Sequence, residues 1–307
     1  MRSACSASER RVDVIPTSPV TDCSTLIETG WNDHAERPAE VAERLAGALG
    51  AIASTDDALA FARLAAHVYG EHLGRFDDGI ALLERIAALP AAGADAPAAA
   101  LRRHVATLRF ASGDVGCLAP LAADDRVAVL ALGASTLAGR GAFGAAIAAY
   151  REAIALAAGG LPAGSPALRA LAAGGNNLAA ALEEKPSRDA GETQGMVEAA
   201  EGGLRYWKQA GTWLEEERAE YRLAKSLLQA RRADDAVVAA RRCLDVCERN
   251  DAPAFERFFG FAALAAAQRA AGQHDDADAA RASCRALFDA LPPDERPWCE
   301  AELRALA

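Results

Sequence analysis

The chain has 307 residues, 51% hydrophobic and 25% charged, with a net charge of -10, a pI near 5.1 and only 6% aromatics. That balance excludes a general attraction to nucleic acid or to an anionic membrane, since both need surplus lysine and arginine. No apolar run reaches the roughly 18 residues that span a bilayer, and the clustered valine, isoleucine and threonine that strands favour are missing, so helices are expected nearly throughout.

Residues 1–34 carry Ser, Thr, Pro and Asp without sustained periodicity and read as a flexible N-terminal segment; no continuous apolar stretch in them suggests a secretory signal. From "ERPAEVAERLAGALGAIAS" onward, apolar positions recur every three to four residues, the period of a helix. Breakers divide the pattern at Pro90, "GGLPAGSP", "EKPSRDAGE", "NDAP" and "LPPDERP". Short connections force consecutive helices to pack antiparallel. Residues 35–307 are therefore expected to form one helical domain closed by a C-terminal capping helix.

Seven cysteines, an odd number without a C-x-x-C pair, fit a reducing cytoplasm better than a disulfide framework. Cys243 and Cys247 could share a helix face, but no further ligand stands near them in sequence, so they read as small buried hydrophobes. The histidines, His34, His67, His72, His104 and His274, form no metal-ligand spacing; His67 and His72 are five positions apart, which places them off a common face of an α-helix.

Residues 139–144, "GRGAFG", match a dinucleotide-binding fingerprint. However, "GASTLA" separates Gly139 from the only strand-like stretch upstream, and no acidic residue stands at the distance that holds a ribose hydroxyl. Gly141 is better explained as a turn between two helices, where positive φ is needed.

Four segments, "LGRFDDGIALLERIAAL", "AGRGAFGAAIAAYREAIAL", "LQARRADDAVVAARRCLDV" and "RAAGQHDDADAARASCRAL", align on one template. Its turn positions are Gly74, Gly141, Arg231 and Gly272. After them come Phe76, Phe143, Ala233 and His274, then the small residues Gly79, Ala146, Ala236 and Ala277. Leu83, Tyr150, Ala240 and Arg281 follow, and finally Ile86, Ala153, Cys243 and Cys284. In this template the chain resembles the tetratricopeptide repeat family, most fully in "GRGAFGAAIAAYREAI". Arg231, Ala233, His274 and Arg281 depart from it, and the anchors stand further apart than the about 34 residues of a usual unit.

The resemblance implies an all-α, right-handed superhelical solenoid of antiparallel helix pairs whose first helices line a concave groove. "NNLA" is similar to the longer repeats of the kinesin light chain type, which implies Asn177, and with it Asn176, as amides that hold a peptide backbone. On the following groove helix Arg218, Arg222 and Lys225 fall on one stripe with Tyr221 beside it, a surface that would draw a carboxylate or an acidic side chain. Two other origins fit the same residues: pairing of these cations with Glu215, Glu217 and Glu220 on a solvated face, or capping of an irregularity next to Gly174 and Gly175 by the asparagines. Two aromatic clusters, Tyr206, Trp207 and Trp213, and Phe255, Phe258, Phe259 and Phe261, suit wedges between hairpins.

The expected function is that of a non-catalytic cytoplasmic adaptor or scaffold that binds a protein or peptide, without nucleic acid or membrane, at Asn176, Asn177, Arg218, Tyr221, Arg222 and Lys225. No catalytic constellation, metal site or cofactor is expected. A regulatory sensor for a small ligand or signalling peptide, and a structural subunit of an oligomeric assembly, are the alternatives.

Overall fold

The computed structural model describes residues 22–306, and among them there are helices and no strand. The helices are α1 (Cys23–Asp33), α2 (Pro38–Gly47), α3 (Thr55–His67), α4 (Phe76–Ala87), α5 (Asp95–Ala111), α6 (Ala123–Gly139) and α7 (Phe143–Ala157), followed by α8 (Pro166–Glu184), α9 (Ala190–Ala210), α10 (Trp213–Gln229), α11 (Ala233–Arg249), α12 (Ala254–Ala270), α13 (His274–Ala290) and α14 (Arg296–Ala305). None of them is long and apolar enough to cross a membrane. Starts are set locally by capping boxes at Ser54 with Asp57, Asp189 with Glu192 and Thr212 with Glu215.

The template positions land where helical hairpins need them. All four turn residues, Gly74 (φ 64°), Gly141 (φ 73°), Arg231 (φ 61°) and Gly272 (φ 76°), adopt the left-handed conformation that ends a helix. Phe76, Phe143, Ala233 and His274 open α4, α7, α11 and α13. The small residues after them are buried, as are Leu83, Tyr150 and Ala240 and the whole last column; Arg281 alone is exposed, paired with Asp278. "GRGAFG" is thus the turn between α6 and α7, which pack on each other.

The helices form two rows. α3, α5, α6, α8, α10, α12 and α14 touch in that order, while α4, α7, α9, α11 and α13 each pack against the row. Between α4 and α6 one unit is reduced to α5 and the short 3-10 turn Val115–Leu118 that follows it. The α8/α9 hairpin is the long unit between Gly141 and Arg231. Gly174 and Gly175 lie inside α8: a Cβ on Gly174 would come 2.3 Å from the Ala131 carbonyl oxygen, and one on Gly175 would come 2.6 Å from that of Ala199. These glycines let α6 and α9 approach α8 at backbone distance, so the asparagines after them cap no irregularity.

Residues 1–21 of the expected flexible segment lie outside the described residues. The boundary at residue 34 needs correction, because Cys23–Asp33 is helix α1, capped by Asp22, with Cys23, Leu26 and Gly30 buried. Its polar composition hid it: only one narrow stripe touches the core, and a Cβ on Gly30 would meet the Leu64 side chain at 2.5 Å.

The apolar interior falls into two clusters, one built from α1 to α5 and one from α6 to α14. Their seam, between α5 and α6, is tied by polar contacts. Arg103 Nη1 donates to Asp125 (2.9 Å), Arg140 Nη1 to the His72 carbonyl (2.8 Å) and Ser135 Oγ to Glu71 Oε1 (3.1 Å).

Candidate functional site

The cationic stripe of α10 forms, and every member meets a carboxylate of the chain itself. Arg218 grips Glu256 of α12 through Nη2 (2.5 Å) and Nε (3.2 Å). Arg222 Nη1 donates to Glu183 Oε2 of α8 at 2.5 Å, and Ser226 Oγ donates to the other oxygen at 2.6 Å. Tyr221 Oη (2.9 Å) and Lys225 Nζ (3.1 Å) converge on Glu302 of α14. The expected local partners are elsewhere: Glu215 caps Thr212, Glu220 is held by Lys208 and Arg242 (2.9 Å each), and Glu217 accepts from the Cys243 thiol at 3.0 Å. The cations are therefore neutralised, though by helices before and after α10 rather than by their own.

Asn177 sits elsewhere on the row. It donates from Nδ2 to Ser135 Oγ at 3.1 Å, and its residue lines a pocket of about 370 Å³ on the seam. The pocket draws on Trp31 of α1, Arg63 and His67 of α3, Glu71, His104 and Thr107 of α5, Leu132 and Thr136 of α6, and Ala173 of α8. Asn176, half-buried, does not line it. The structure thus separates the six expected residues into Asn177 at the pocket and four on the α10 stripe, with Asn176 at neither.

Arg63 is the pocket's distinctive group. Its guanidinium lies 5.3 Å from the Trp31 ring centroid, and among the described residues no carboxylate pairs with it. The residue as a whole is exposed, but partial burial of its guanidinium, then the charge of Arg169, pushes its pKa down. His104 is held down to about 4 by burial and then by Arg103 and Arg63, and is a neutral imidazole near pH 7. The Trp31 indole N–H is buried with no acceptor among the described residues. Sequence inspection passed over Arg63, yet a signal was present: in "ALAFARLAAHVYG" it is the lone arginine in an apolar helix.

Beside the pocket the fold gathers three histidines. After His67 the backbone widens into a π-helical segment, Val68–Leu73, whose i to i+5 repeat brings residues five apart onto one face. His67 and His72 consequently meet, Nε2 to Nε2 at 3.2 Å, correcting the expectation that their spacing keeps them apart. His34, just after α1, completes the group with ring centroids 4.9 Å and 5.0 Å from those of His67 and His72. Burial, followed by the neighbouring His67 and His34, lowers the His72 pKa to about 4.

Cys243 and Cys247 are buried as expected, with Glu217 adjoining them. Burial raises the Glu217 pKa to about 7, against the opposing hydrogen bond from Cys243. The Cys243 thiol is pushed up by its hydrogen bond to Cys247 and by burial, which keeps it protonated. The aromatic clusters are largely packing groups: Phe258 and Tyr206 are buried, and Phe255, Phe259, Phe261 and Trp207 pack against the core.

No family model matches the sequence, and no curated protein matches it. Among solved structures, the chain is similar to the nearly identical TPR-like repeats of a Podosopora anserina protein described as a kinesin light chain, at TM-score 0.46 and 17% identity over 72% of this chain and 90% of that one. A single-substitution variant of the same protein gives TM-score 0.45 and 18% identity over 72% and 90% of the two chains. The fold described above stands on this chain's own hairpins.

Proposed function

We propose that the chain is a helical-repeat adaptor that binds a short segment of a protein partner in the seam pocket, with Arg63 receiving a carboxylate of that segment and Asn177 its backbone. The observation that carries this assignment is Arg63 itself. It is a cation on the same row of helices, at a cavity, with no ion-pair partner among the described residues. Glu71, the one carboxylate among the described residues lining that cavity, is engaged by His67 and Ser135, and the stripe of α10 already holds Glu183, Glu256 and Glu302. A guanidinium can take a carboxylate in two parallel hydrogen bonds. Asn177 keeps one amide hydrogen and its carbonyl oxygen beyond the bond to Ser135, a donor and an acceptor matched to an extended peptide. A cavity of about 370 Å³ falls in the range of specific small clefts.

The test is selection of a displayed peptide library on the immobilised protein, followed by fluorescence polarisation with each recovered peptide. The acidic group that recovered peptides share, a C-terminal carboxylate or an Asp or Glu side chain, is then neutralised as the amide. A tenfold or greater loss of affinity on amidation, about 1.4 kcal/mol, is expected. Equal binding of acid and amide forms, or no enrichment of any peptide, would remove the proposal.

A further inference from the structure

We propose that His34, His67 and His72 form a zinc site that clips helix α1 onto α3 and the π-helical segment. One ligand atom from each of the three residues lies within 4.8 Å of the others. Tetrahedral zinc with Zn–N near 2.0 to 2.1 Å sets its ligands about 3.4 Å apart, and the His67 to His72 separation of 3.2 Å is already of that size. Small ring rotations bring His34 into the same sphere.

The surroundings prepare the ligand atoms. His67 places Nδ1 3.1 Å from Glu71 Oε1, so the N–H faces the carboxylate and the Nε2 lone pair faces His72. His34 sets Nδ1 2.5 Å from the Trp31 carbonyl oxygen, which leaves Nε2 as its ligand atom. Ligating histidines usually carry such an acceptor on the second nitrogen, because it fixes the tautomer and the ring plane. Glu71 is itself held by Ser135, and Ser135 by Asn177. The orienting shell therefore runs from α8 through α6 to the site.

Without an ion one Nε2–H of the His67–His72 pair donates to the other ring's Nε2; an ion would replace that bond and use both lone pairs. Imidazole donors suit zinc, copper and nickel, and a set of three histidines leaves zinc a fourth position for water or another ligand. The π-helical turn is what makes the site, since regular α geometry would set His72 on another face from His67. This inference does not depend on what the seam pocket holds.

The experiment uses the full chain, stripped with a chelator and then titrated with zinc alone by calorimetry, with cobalt(II) as a spectroscopic probe. One zinc per chain, a zinc-dependent rise in Tm and a tetrahedral cobalt spectrum without a thiolate charge-transfer band are expected. His34→Gln and His72→Gln should each weaken zinc at least a hundredfold, and Glu71→Gln about ten- to a hundredfold, while His274→Gln, at an exposed position outside the cluster, leaves binding unchanged. Circular dichroism checks folding, and His34→Gln, at the end of α1, carries the test if His72→Gln does not fold. No zinc-dependent change in the wild-type chain would overturn the proposal. So would equal affinity in folded His34→Gln, or a cobalt spectrum showing thiolate ligation.

Discussion

Arg63 and Arg222 occupy the same row of helices, one at the seam between the two apolar clusters and one on the stripe of α10, and their surroundings have opposite character. Arg222 reaches a buried carboxylate, Glu183, contributed by α8, its preceding neighbour in the row, and shared with Ser226. Arg63 lies over an aromatic ring, with Arg169 as an influential charge nearby. Two guanidiniums of equal formal charge thus differ in what they can still bind. One is spent on holding α8 to α10, and the other keeps its capacity for an anion. Cations along a row of packed helices are candidates for binding only after the carboxylates of neighbouring helices have been assigned.

Stability measurements separate the two regions most strongly. Glu183→Ala leaves the Arg222 charge and the Ser226 hydroxyl without their partner, and should cost about 3 kcal/mol in urea denaturation. Arg63→Ala, which breaks no ion pair, should change stability by less than about 0.5 kcal/mol. Comparable losses for both would erase the contrast.

A smaller effect lies beside the stripe and depends on pH. Glu217 titrates near 7 in the fold, above its usual 4.5, because burial disfavours its charge. The unfolded chain therefore loses this proton first, and its contribution to stability, full below pH 4.5, declines as pH rises toward 7 and is flat above. Glu217→Gln should remove that slope and stabilise the protein above pH 7 by on the order of 1 kcal/mol. Denaturation at a series of pH values checks it; an unchanged slope in the variant would assign the pH dependence to another group.

Much of the architecture was legible because hairpin turns and close helix crossings are local events. Glycine or its replacement marks each left-handed turn, and the frame survives even at Arg231, whose φ of 61° reproduces the glycine conformation. The ligand-facing chemistry was less legible, since its determinants are distant in sequence. Glu302 reaches Tyr221 from 81 positions away, and Ser135 reaches Glu71 from 64. Helix α1 was hidden by polar residues on its outer faces, and the histidine cluster by a π-helical turn that no regular periodicity anticipates. Asn177, expected on the same surface as the α10 cations, instead lines the seam pocket with Arg63 and lies apart from Arg222.

The most direct test of the contrast is a polarisation titration of one selected carboxylate peptide against wild type, Arg63→Glu and Arg222→Glu, each verified as folded. Charge reversal at Arg63 should weaken binding by tenfold or more, and reversal at Arg222 should leave it within about twofold. The opposite ranking, with Arg222→Glu abolishing binding and Arg63→Glu retaining it, would contradict the account and return the binding surface to the α10 stripe.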